Sequence, residues 1–379
     1  MRVLYLTNNG MLASTTVATK GWFEDLIPKG LQPVVASPVV GEFCQWAGTL
    51  GVPSYRVPLP FPEKLWPWPF LHALWRLRRI VRRHRIQLIH CNEHDVYPIG
   101  CHLARWTSVP AVCSVQFTLT PGFSTWAFGG TRQPARLFFV SGQSMEASRP
   151  AVEGVVPESR WRVLYYGLRL EAYRCEERLR QAFRARMGLQ EGDLAIGIGC
   201  GLRPVKQIEH LAEVTARLED LPVRLFLAGI TVPGLEDYAD KLLNHLRQRL
   251  GPRFTFLGQL DNAQLQEMFN GLDLYVNTSL EESFGVSVLE SLACGCPVVG
   301  YPSISVSEVI LPDGGEIVPQ NDLDQLTEAV RRWLSDRGRL QAARAQARRQ
   351  AERFDIARSS EQLWQEYHAV LAEHNGRAS

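Results

Sequence analysis

The chain has 379 residues, of which 45% are hydrophobic and 21% charged, and its formal net charge is +2. The length is sufficient for two domains of ordinary size, and the composition is typical of a soluble globular protein. The near-neutral charge argues against nucleic-acid binding, no apolar run reaches the roughly 20 residues of a membrane span, and the quickly polar start predicts no signal peptide.

The first half of the chain alternates apolar runs with segments of helical pattern. The runs are continuously apolar, which is typical of strands in a parallel sheet with helices on both faces. Strands are predicted at 3–6, 34–36, 88–90, 111–115, 137–140 and 163–166. Ligands of such a sheet bind at the carboxyl ends of its strands. The polar residues that follow these ends are therefore candidates for a site: Gly10, Glu93, His94, Asp95 and Gln116. His90 can be read as a hydrogen-bonded core histidine.

Residues 66–85 combine a tryptophan-rich start with a basic helix. Phe70, Leu71, Leu74, Leu77 and Val81 share one face, which is predicted to pack on the core. The remaining positions are rich in tryptophan and arginine: Trp66, Trp68, Trp75, Arg76, Arg78, Arg79, Arg82, Arg83 and Arg85. Two interpretations stay open, namely a helix lying on an anionic membrane surface and a solvated helix that precedes a buried strand.

The second half repeats the pattern after a polar segment at about 169–193, which predicts a domain boundary. Strands are predicted at 195–199, 224–228, 254–257, 272–276, 298–301 and 316–318. Cys294 and Cys296 flank Gly295 at the end of a predicted helix, where small buried residues are a better explanation than metal ligands. The other cysteines are scattered, as expected for free thiols.

The stretch VNTSLEESFGVSVLESLACGCPVV, residues 276–299, is the most informative part of the sequence. An apolar strand leads into a polar loop, which turns at Phe284 and Gly285 into a helix. Gly295 ends that helix, and another apolar strand follows. The pattern therefore predicts a strand, loop and helix in the order that suits a ligand site.

Two carboxylates frame the start of this helix. Glu282 precedes it, and Glu290 lies two turns along it. The free N–H groups and the positive dipole end at Val286 and Ser287 suit a phosphate. A sugar, a diphosphate and a ribose arranged in line would fit this spacing.

The stretch closely resembles the E-x7-E signature of glycosyltransferase family 4 (GT4), whose members are retaining enzymes. The resemblance covers nearly the whole chain and is most specific between Gly199 and Glu308. It implies the α/β GT-B fold, in which two doubly wound, Rossmann-like domains face each other across a cleft. Residues 1–168, joined by a returning C-terminal helix at about 359–379, would bind the acceptor. Residues 169–358 would bind the nucleotide sugar.

The resemblance implies roles for residues of the second domain. Glu282 would contact hydroxyls of the donor sugar, and Glu290 would contact the ribose. Lys206 stands at the position of a family lysine that neutralises the diphosphate. Gly201 replaces the usual arginine, so Arg203 is predicted to supply that charge. Further donor contacts are expected from Phe284, Gly285, Val286, Ser287, Gly258 and Gln259.

The acceptor side departs further from the family pattern. Only Gly10 remains of a usual glycine pair, and a plain β–α turn explains it equally well. Glu93 or Asp95 is expected to contact an acceptor hydroxyl. Gln116 stands where many members have a histidine, and glutamine can hydrogen-bond but cannot titrate.

The resemblance implies transfer of a sugar from a nucleotide sugar to a hydroxyl acceptor with retained configuration, and a UDP-sugar is favoured over a GDP-sugar as the donor. The acceptor stays open between a glycan, a lipid-linked molecule and a small soluble compound, although the basic helix favours cell-surface glycan or glycolipid synthesis. No cofactor or metal is expected, since capping of a helix start explains Asp322 and Asp324. The expected location is the cytoplasm, with peripheral contact at the inner face of the membrane through 66–85.

Two other functions are considered. A catalytically weak or silent relative would bind a nucleotide sugar or an assembly partner, and Gln116, Gly201 and the missing glycines favour it. A sugar-nucleotide epimerase or hydrolase on the same fold would turn over donor without an acceptor. The intact Glu282, Glu290 and Lys206 favour the transferase.

Overall fold

The computed structural model describes residues 1–8, 10, 14–62 and 67–378. The chain forms two compact units. Unit 1 comprises Met1–Leu168 and Ile356–Ser379, and unit 2 comprises Arg169–Asp355. Each unit is a parallel sheet whose strands are joined by helices, which confirms the predicted α/β class.

Unit 1 contains, in its described residues, a seven-stranded parallel sheet in the order β3-β2-β1-β4-β5-β6-β7. The strands are β1 (Arg2–Leu6), β2 (Gln32–Ser37), β3 (Ser54–Arg56), β4 (Leu88–Cys91), β5 (Ala111–Val115), β6 (Leu137–Phe139) and β7 (Trp161–Val163). The helices are α1 (Ser14–Leu26), α2 (Glu42–Thr49), α3 (Trp68–Arg83), α4 (Tyr97–Thr107), α5 (Pro121–Phe128) and α6 (Gly142–Val152). The chain order reverses at β1, which lies between β2 and β4.

Unit 2 contains, among the residues described, a six-stranded parallel sheet in the order β10-β9-β8-β11-β12-β13. The strands are β8 (Leu194–Gly199), β9 (Val223–Ala228), β10 (Phe254–Gly258), β11 (Leu274–Asn277), β12 (Val298–Gly300) and β13 (Gly315–Ile317). The helices are α7 (Glu177–Arg186), α8 (Ile208–Arg217), α9 (Glu236–Leu250), α10 (Asn262–Gly271), α11 (Val286–Ala293), α12 (Val306–Val309), α13 (Leu323–Ser335) and α14 (Arg337–Ala351). Here the order reverses between β8 and β11.

The C-terminal helix α15 (Ile356–Ala378) belongs to unit 1, as predicted. The indole N–H of Trp22 in α1 donates to Ser359 Oγ at 3.1 Å. The buried hydroxyl of Tyr367 lies 2.8 Å from that of Tyr5 in β1 and also hydrogen-bonds His90 in β4. Buried hydrogen bonds of this kind each contribute about 1 kcal/mol, so they hold the helix on the sheet in a defined register.

Three local predictions were wrong. β3 was missed because its three residues, Ser-Tyr-Arg, are not an apolar run. The last strand of unit 1 ends at Val163 instead of extending through 166, because pairing with β6 ends there. Leu71 is 45% exposed, since it lies one helical turn from the exposed Trp68 and Trp75 and shares their face.

Candidate active site

The loops after β8 and β11 meet at the point where the strand order of unit 2 reverses, the usual ligand position in such a sheet. The backbone N–H of Leu280 donates to the carbonyl of Val205 at 2.9 Å. The hydroxyl of Thr278 donates to the carbonyl of Lys206 at 2.8 Å. These bonds fix the two loops to each other and therefore fix the side chains that they carry.

Lys206 and Glu282 form an ion pair across these loops. Lys206 Nζ lies 2.5 Å from Glu282 Oε1, with side chains 16% and 15% exposed. The hydroxyl of Ser279 donates to the same carboxylate oxygen at 2.9 Å. The structure thus brings together two residues that are 76 positions apart and were both predicted to act on the donor. Their roles remain predictions.

Arg203 lies in the same β8 loop and is exposed. Its Nε is 4.0 Å from the point where a side chain at Gly201 would begin. Within the described residues its guanidinium has no hydrogen-bond or ion-pair partner. The guanidinium therefore lies beside the position at which the family has its arginine, as expected if Arg203 replaces that charge.

The start of α11 has the backbone geometry that the sequence predicts. Gly285 adopts a positive φ of 82°, and a Cβ there would lie 2.8 Å from Val306 Cγ2, so glycine is required. Ser287 Oγ receives a hydrogen bond from the hydroxyl of Tyr275 at 3.1 Å, and Val286 is half-buried. Phe284 is fully buried, with its ring 5.6 Å from that of Phe354. Its predicted donor contact is therefore restricted to the backbone.

Glu290 has a partner that sequence reasoning missed. The hydroxyl of Tyr173 donates to Glu290 Oε1 at 2.7 Å. Burial raises the pKa of Glu290 to about 7, and the hydrogen bond from Tyr173 acts in the opposite direction. Arg348 in α14 positions the tyrosine, since its guanidinium donates to the carbonyls of Tyr173 at 2.9 Å and Leu170 at 3.0 Å. Tyr173 lies within the polar segment that predicts the domain boundary, where no periodic pattern indicated a site.

Gly258 and Gln259 lie at the end of β10. Gly258 has a φ of 68°, and its carbonyl accepts from the N–H of Gly229 at 2.8 Å. The side chain of Gln259 is exposed. Their predicted contact with the nucleotide base remains a prediction.

In unit 1, the residues predicted on the acceptor side support the framework. A Cβ at Gly10 would lie 1.8 Å from the carbonyl oxygen of Val39, so close backbone approach requires this glycine. Asn9 lies outside the described residues. Glu93 is 9% exposed; its oxygens accept from Thr7 Oγ1 at 2.8 Å and from the N–H of Asn8 at 3.1 Å. Glu93 thus holds the loop after β1, and a contact with an acceptor stays a prediction.

Gln116 is 2% exposed, and both ends of its amide are bonded within unit 1. Its Nε2 donates to the carbonyl of Asn92 at 2.7 Å, and its Oε1 accepts from the hydroxyl of Tyr166. His90 is a hydrogen-bonded core residue: Nε2 is 2.8 Å from Ser114 Oγ, and burial lowers its pKa to about 3.

The remaining sequence interpretations concern helix capping, metal ligands, membrane crossing and the paired cysteines. Asp322 Oδ1 accepts from the N–H of Gln325 at 2.9 Å, which confirms capping of α13. No group of three or more His, Cys, Asp or Glu in the described residues is arranged to hold a metal ion. Within the same residues no helix combines the length and apolarity that crossing a membrane requires. Cys294 and Cys296 are buried free thiols.

The basic face of residues 66–85 is formed by α3; Trp66 lies outside the described residues. Trp68, Leu71 and Trp75 are 65%, 45% and 47% exposed. The guanidinium of Arg79 lies 4.7 Å from the ring centroid of Trp75. The helix therefore presents an exposed apolar strip, and its last turns carry the basic residues.

Comparison with known proteins gives consistent matches. Residues 180–352 match the family model of glycosyl transferases group 1. The chain is 25% identical over 348 residues to an uncharacterized glycosyltransferase of Methanocaldococcus jannaschii, covering 86% of this chain and 87% of that protein. It is 28% identical over 226 residues to a D-inositol 3-phosphate glycosyltransferase of Mycobacterium bovis, covering 56% of this chain and 44% of that protein. The crystal structure of Anabaena HepE with UDP aligns with a TM-score of 0.83 at 19% identity, over 97% of this chain and 100% of that chain.

Proposed function

The chain belongs to the glycosyl transferases group 1 family, the GT4-type glycosyltransferases of GT-B fold, and from this premise we propose that it transfers a sugar from a nucleotide-sugar donor to a hydroxyl acceptor with retention of the anomeric configuration. One observation carries the proposal: Lys206 and Glu282 are paired at 2.5 Å where the sheet order of unit 2 reverses. The helix that follows this loop bears Glu290.

The proposed chemistry follows from the charges in unit 2. Breaking the bond between the sugar and the diphosphate leaves negative charge on the phosphate and positive charge on the sugar ring. Lys206, Arg203 and the first N–H groups of α11 would stabilise the departing diphosphate. Glu282 would accept hydrogen bonds from sugar hydroxyls, and Glu290 from the ribose. The acceptor oxygen bonds to the anomeric carbon on the face that the phosphate leaves, and its proton passes to that phosphate.

We favour a UDP-sugar as donor. The support is that Anabaena HepE was crystallised with UDP and with UDP-glucose. We also propose that transfer needs no metal or other cofactor, because Lys206 and Arg203 supply the positive charge that a divalent ion would otherwise provide. Turnover that survives excess EDTA would support this, and turnover restored only by Mg²⁺ or Mn²⁺ would overturn it.

We further propose a cytoplasmic protein that contacts the inner face of a membrane through α3, in cell-surface glycan or glycolipid synthesis. Tryptophan favours the headgroup region, and each basic residue near an anionic surface contributes about 1 kcal/mol. Co-sedimentation with phosphatidylglycerol vesicles should fall when Trp68 and Trp75 are both replaced by alanine. Replacing Trp126, which is 42% exposed on another helix, provides a control. Equal sedimentation of the α3 variant and the wild type would contradict the contact.

Nucleotide binding tests the transferase proposal first. A thermal-shift and calorimetric screen should show stabilisation by one nucleoside diphosphate and its sugar conjugate, lost in Lys206→Ala. NMR of the product should then show the donor's anomeric configuration. Binding without turnover across a broad acceptor panel would favour a silent relative, and donor turnover without acceptor an epimerase or hydrolase. Absence of binding to UDP, GDP and ADP compounds would overturn the proposal.

A further inference from the structure

A row of four aromatic rings on unit 1 begins with two exposed side chains and continues with two half-buried ones. Phe61 and Trp126 are 49% and 42% exposed, and their ring centroids lie 5.7 Å apart. Phe123 follows at 5.8 Å from Trp126, and His94 at 5.3 Å from Phe123. We call these four residues the aromatic shelf. A contiguous patch of apolar rings that reaches the surface is typical of a binding site.

The shelf lies at the carboxyl edge of the unit 1 sheet. Phe61 comes after β3, His94 after β4, and α5 with Phe123 and Trp126 after β5. This is the edge at which ligands of parallel sheets bind. Asp95, next to His94, accepts a hydrogen bond of 2.5 Å from the side chain of Asn8 in the loop after β1. The shelf therefore adjoins the residues that the sequence predicts on the acceptor side.

The polar groups beside the shelf suit hydroxyl groups. His94 Nδ1 and Asp95 Oδ1 are buried without a hydrogen-bond partner in the described structure. A ligand hydroxyl or a water that it positions would satisfy either atom, since a hydroxyl both donates and accepts. Burial lowers the pKa of His94, which keeps its ring neutral.

The charges around the shelf disfavour an anionic ligand. Among the described residues beside the shelf, Glu93 and Asp95 are acidic. Arg132 lines a small cavity with Trp126; its Nη2 donates to the carbonyl of Thr125 at 3.4 Å, and its Nε has no hydrogen-bond partner in the described residues. A phosphorylated acceptor would place two negative charges near two carboxylates with one arginine to offset them.

We propose that the aromatic shelf holds the pyranose ring of a neutral glycoside, which is the acceptor; this inference rests on the proposed transferase function. The C–H face of a pyranose carries partial positive charge and packs on the negative face of an aromatic ring, while its hydroxyls reach the polar edge. An acyl chain would cover the rings but leave His94 and Asp95 without partners. The proposal separates this chain from the relatives named for D-inositol 3-phosphate.

Binding of a glycoside is measured first, without turnover. Saturation-transfer NMR on the full chain uses maltose, cellobiose and lactose against glucose 6-phosphate and inositol 1-phosphate. We expect signals from at least one neutral disaccharide that Trp126→Ala removes. Trp106→Ala is the matched control: Trp106 is 44% exposed on the same unit, but the guanidinium of Arg78 covers its ring at 4.3 Å. Phe61→Ala serves as a second shelf variant should Trp126→Ala fail to fold.

Turnover is measured next with the donor that the nucleotide screen identifies. Trp126→Ala should raise the KM for the disaccharide roughly tenfold or more, with the donor-induced thermal shift unchanged. Preference for a phosphorylated acceptor, or transfer only to dioleoylglycerol in vesicles, would overturn the proposal. Different results would overturn the glycoside site and the transferase function. Nucleotide binding without glycoside binding overturns the shelf alone, whereas glycoside binding at Trp126 without nucleotide binding overturns the transferase function and the acceptor role.

Discussion

The carboxyl edges of the two sheets differ in which side chains are buried: unit 1 buries its polar residues and exposes aromatic ones, and unit 2 does the reverse. In unit 1, Glu93 and Gln116 are buried and bonded to their own framework. All exposed Phe and Trp side chains among the described residues also belong to this unit: Phe61, Trp68, Trp75, Trp106, Phe117 and Trp126. In unit 2, Lys206 and Glu282 are partly exposed and bonded mainly to each other, while Phe284 is fully buried.

The difference shows that a polar residue at a strand end has two possible uses. Where its donors and acceptors are all bonded to the surrounding backbone, it stabilises the loop. Where its only strong partner is an opposite charge that a ligand can replace, it is available for chemistry. Variants of these polar residues should therefore separate, with effects on turnover in unit 2 and effects on stability in unit 1.

Glu282→Ala should give the largest effect. Loss of the carboxylate removes the predicted contact with the donor sugar, and comparable losses of a transition-state contact lower kcat by about 10²- to 10³-fold. The folded state should persist, because the loops remain joined through Leu280 and Val205. Steady-state turnover and circular dichroism test both expectations. The exposed neighbour Glu281, replaced by alanine, is the control, and unchanged turnover in Glu282→Ala would remove it from the site.

Arg203→Ala should lower kcat/KM for the donor by about 10- to 100-fold, the usual range for a charge-assisted contact with phosphate. The double variant Gly201→Arg, Arg203→Ala moves the charge to the family position. A Cβ at 201 would lie 3.3 Å from Val232 Cγ2, a contact that a small side-chain shift relieves. Recovery of activity in the double variant would show that the charge is what matters. Full activity of Arg203→Ala alone would contradict the assignment.

Gln116→Ala should lower the free energy of unfolding and have little effect on turnover. The truncation removes the donor to the carbonyl of Asn92 and the acceptor of the Tyr166 hydroxyl, and each buried hydrogen bond contributes about 1 kcal/mol. Urea unfolding should detect this loss, while the nucleotide-induced thermal shift stays that of the wild type. Gln116→Glu, which retains an acceptor for Tyr166, should recover part of the stability below the pKa of the new carboxyl. A loss of turnover without any loss of stability would instead indicate that Gln116 contacts the reacting groups.

The sequence predicted the features that leave a local pattern, namely the strands and the β–loop–α stretch. Continuous apolar runs located eleven of the thirteen described strands closely, because burial on both faces leaves a clear pattern. The β–loop–α stretch placed Glu282, Gly285 and Glu290 correctly on the loop, the turn and the helix. These features depend on residues within about 20 positions of one another.

Partners distant in the chain could not be predicted in this way. Tyr166 bonds Gln116 across 50 positions, and Tyr173 bonds Glu290 across 117. Tyr166 ends a predicted apolar run and Tyr173 lies in a polar segment without periodicity, and neither pattern indicates the distant partner. Only the folded chain therefore shows that the amide of Gln116 supports the framework and that the pKa of Glu290 is shifted. The sequence therefore did not determine which polar residues support the framework and which are available to a ligand.

Tyr173→Phe should give the smallest effect, one that depends on pH. Burial raises the pKa of Glu290 to about 7, and the Tyr173 hydroxyl lowers it. The carboxyl must be ionised to accept from both the ribose and Tyr173, so kcat/KM for the donor should fall as pH drops through about 7. Removing the hydroxyl raises this pKa further and moves the limb to higher pH, a loss of roughly threefold at pH 7 that disappears at pH 9. Both phosphates of a nucleotide sugar stay ionised over this range. The fall in kcat/KM at low pH (the acid limb of the pH profile) therefore reflects a group that titrates on the protein. Glu290→Gln should abolish the limb, and a limb that persists in Glu290→Gln would assign it to another group.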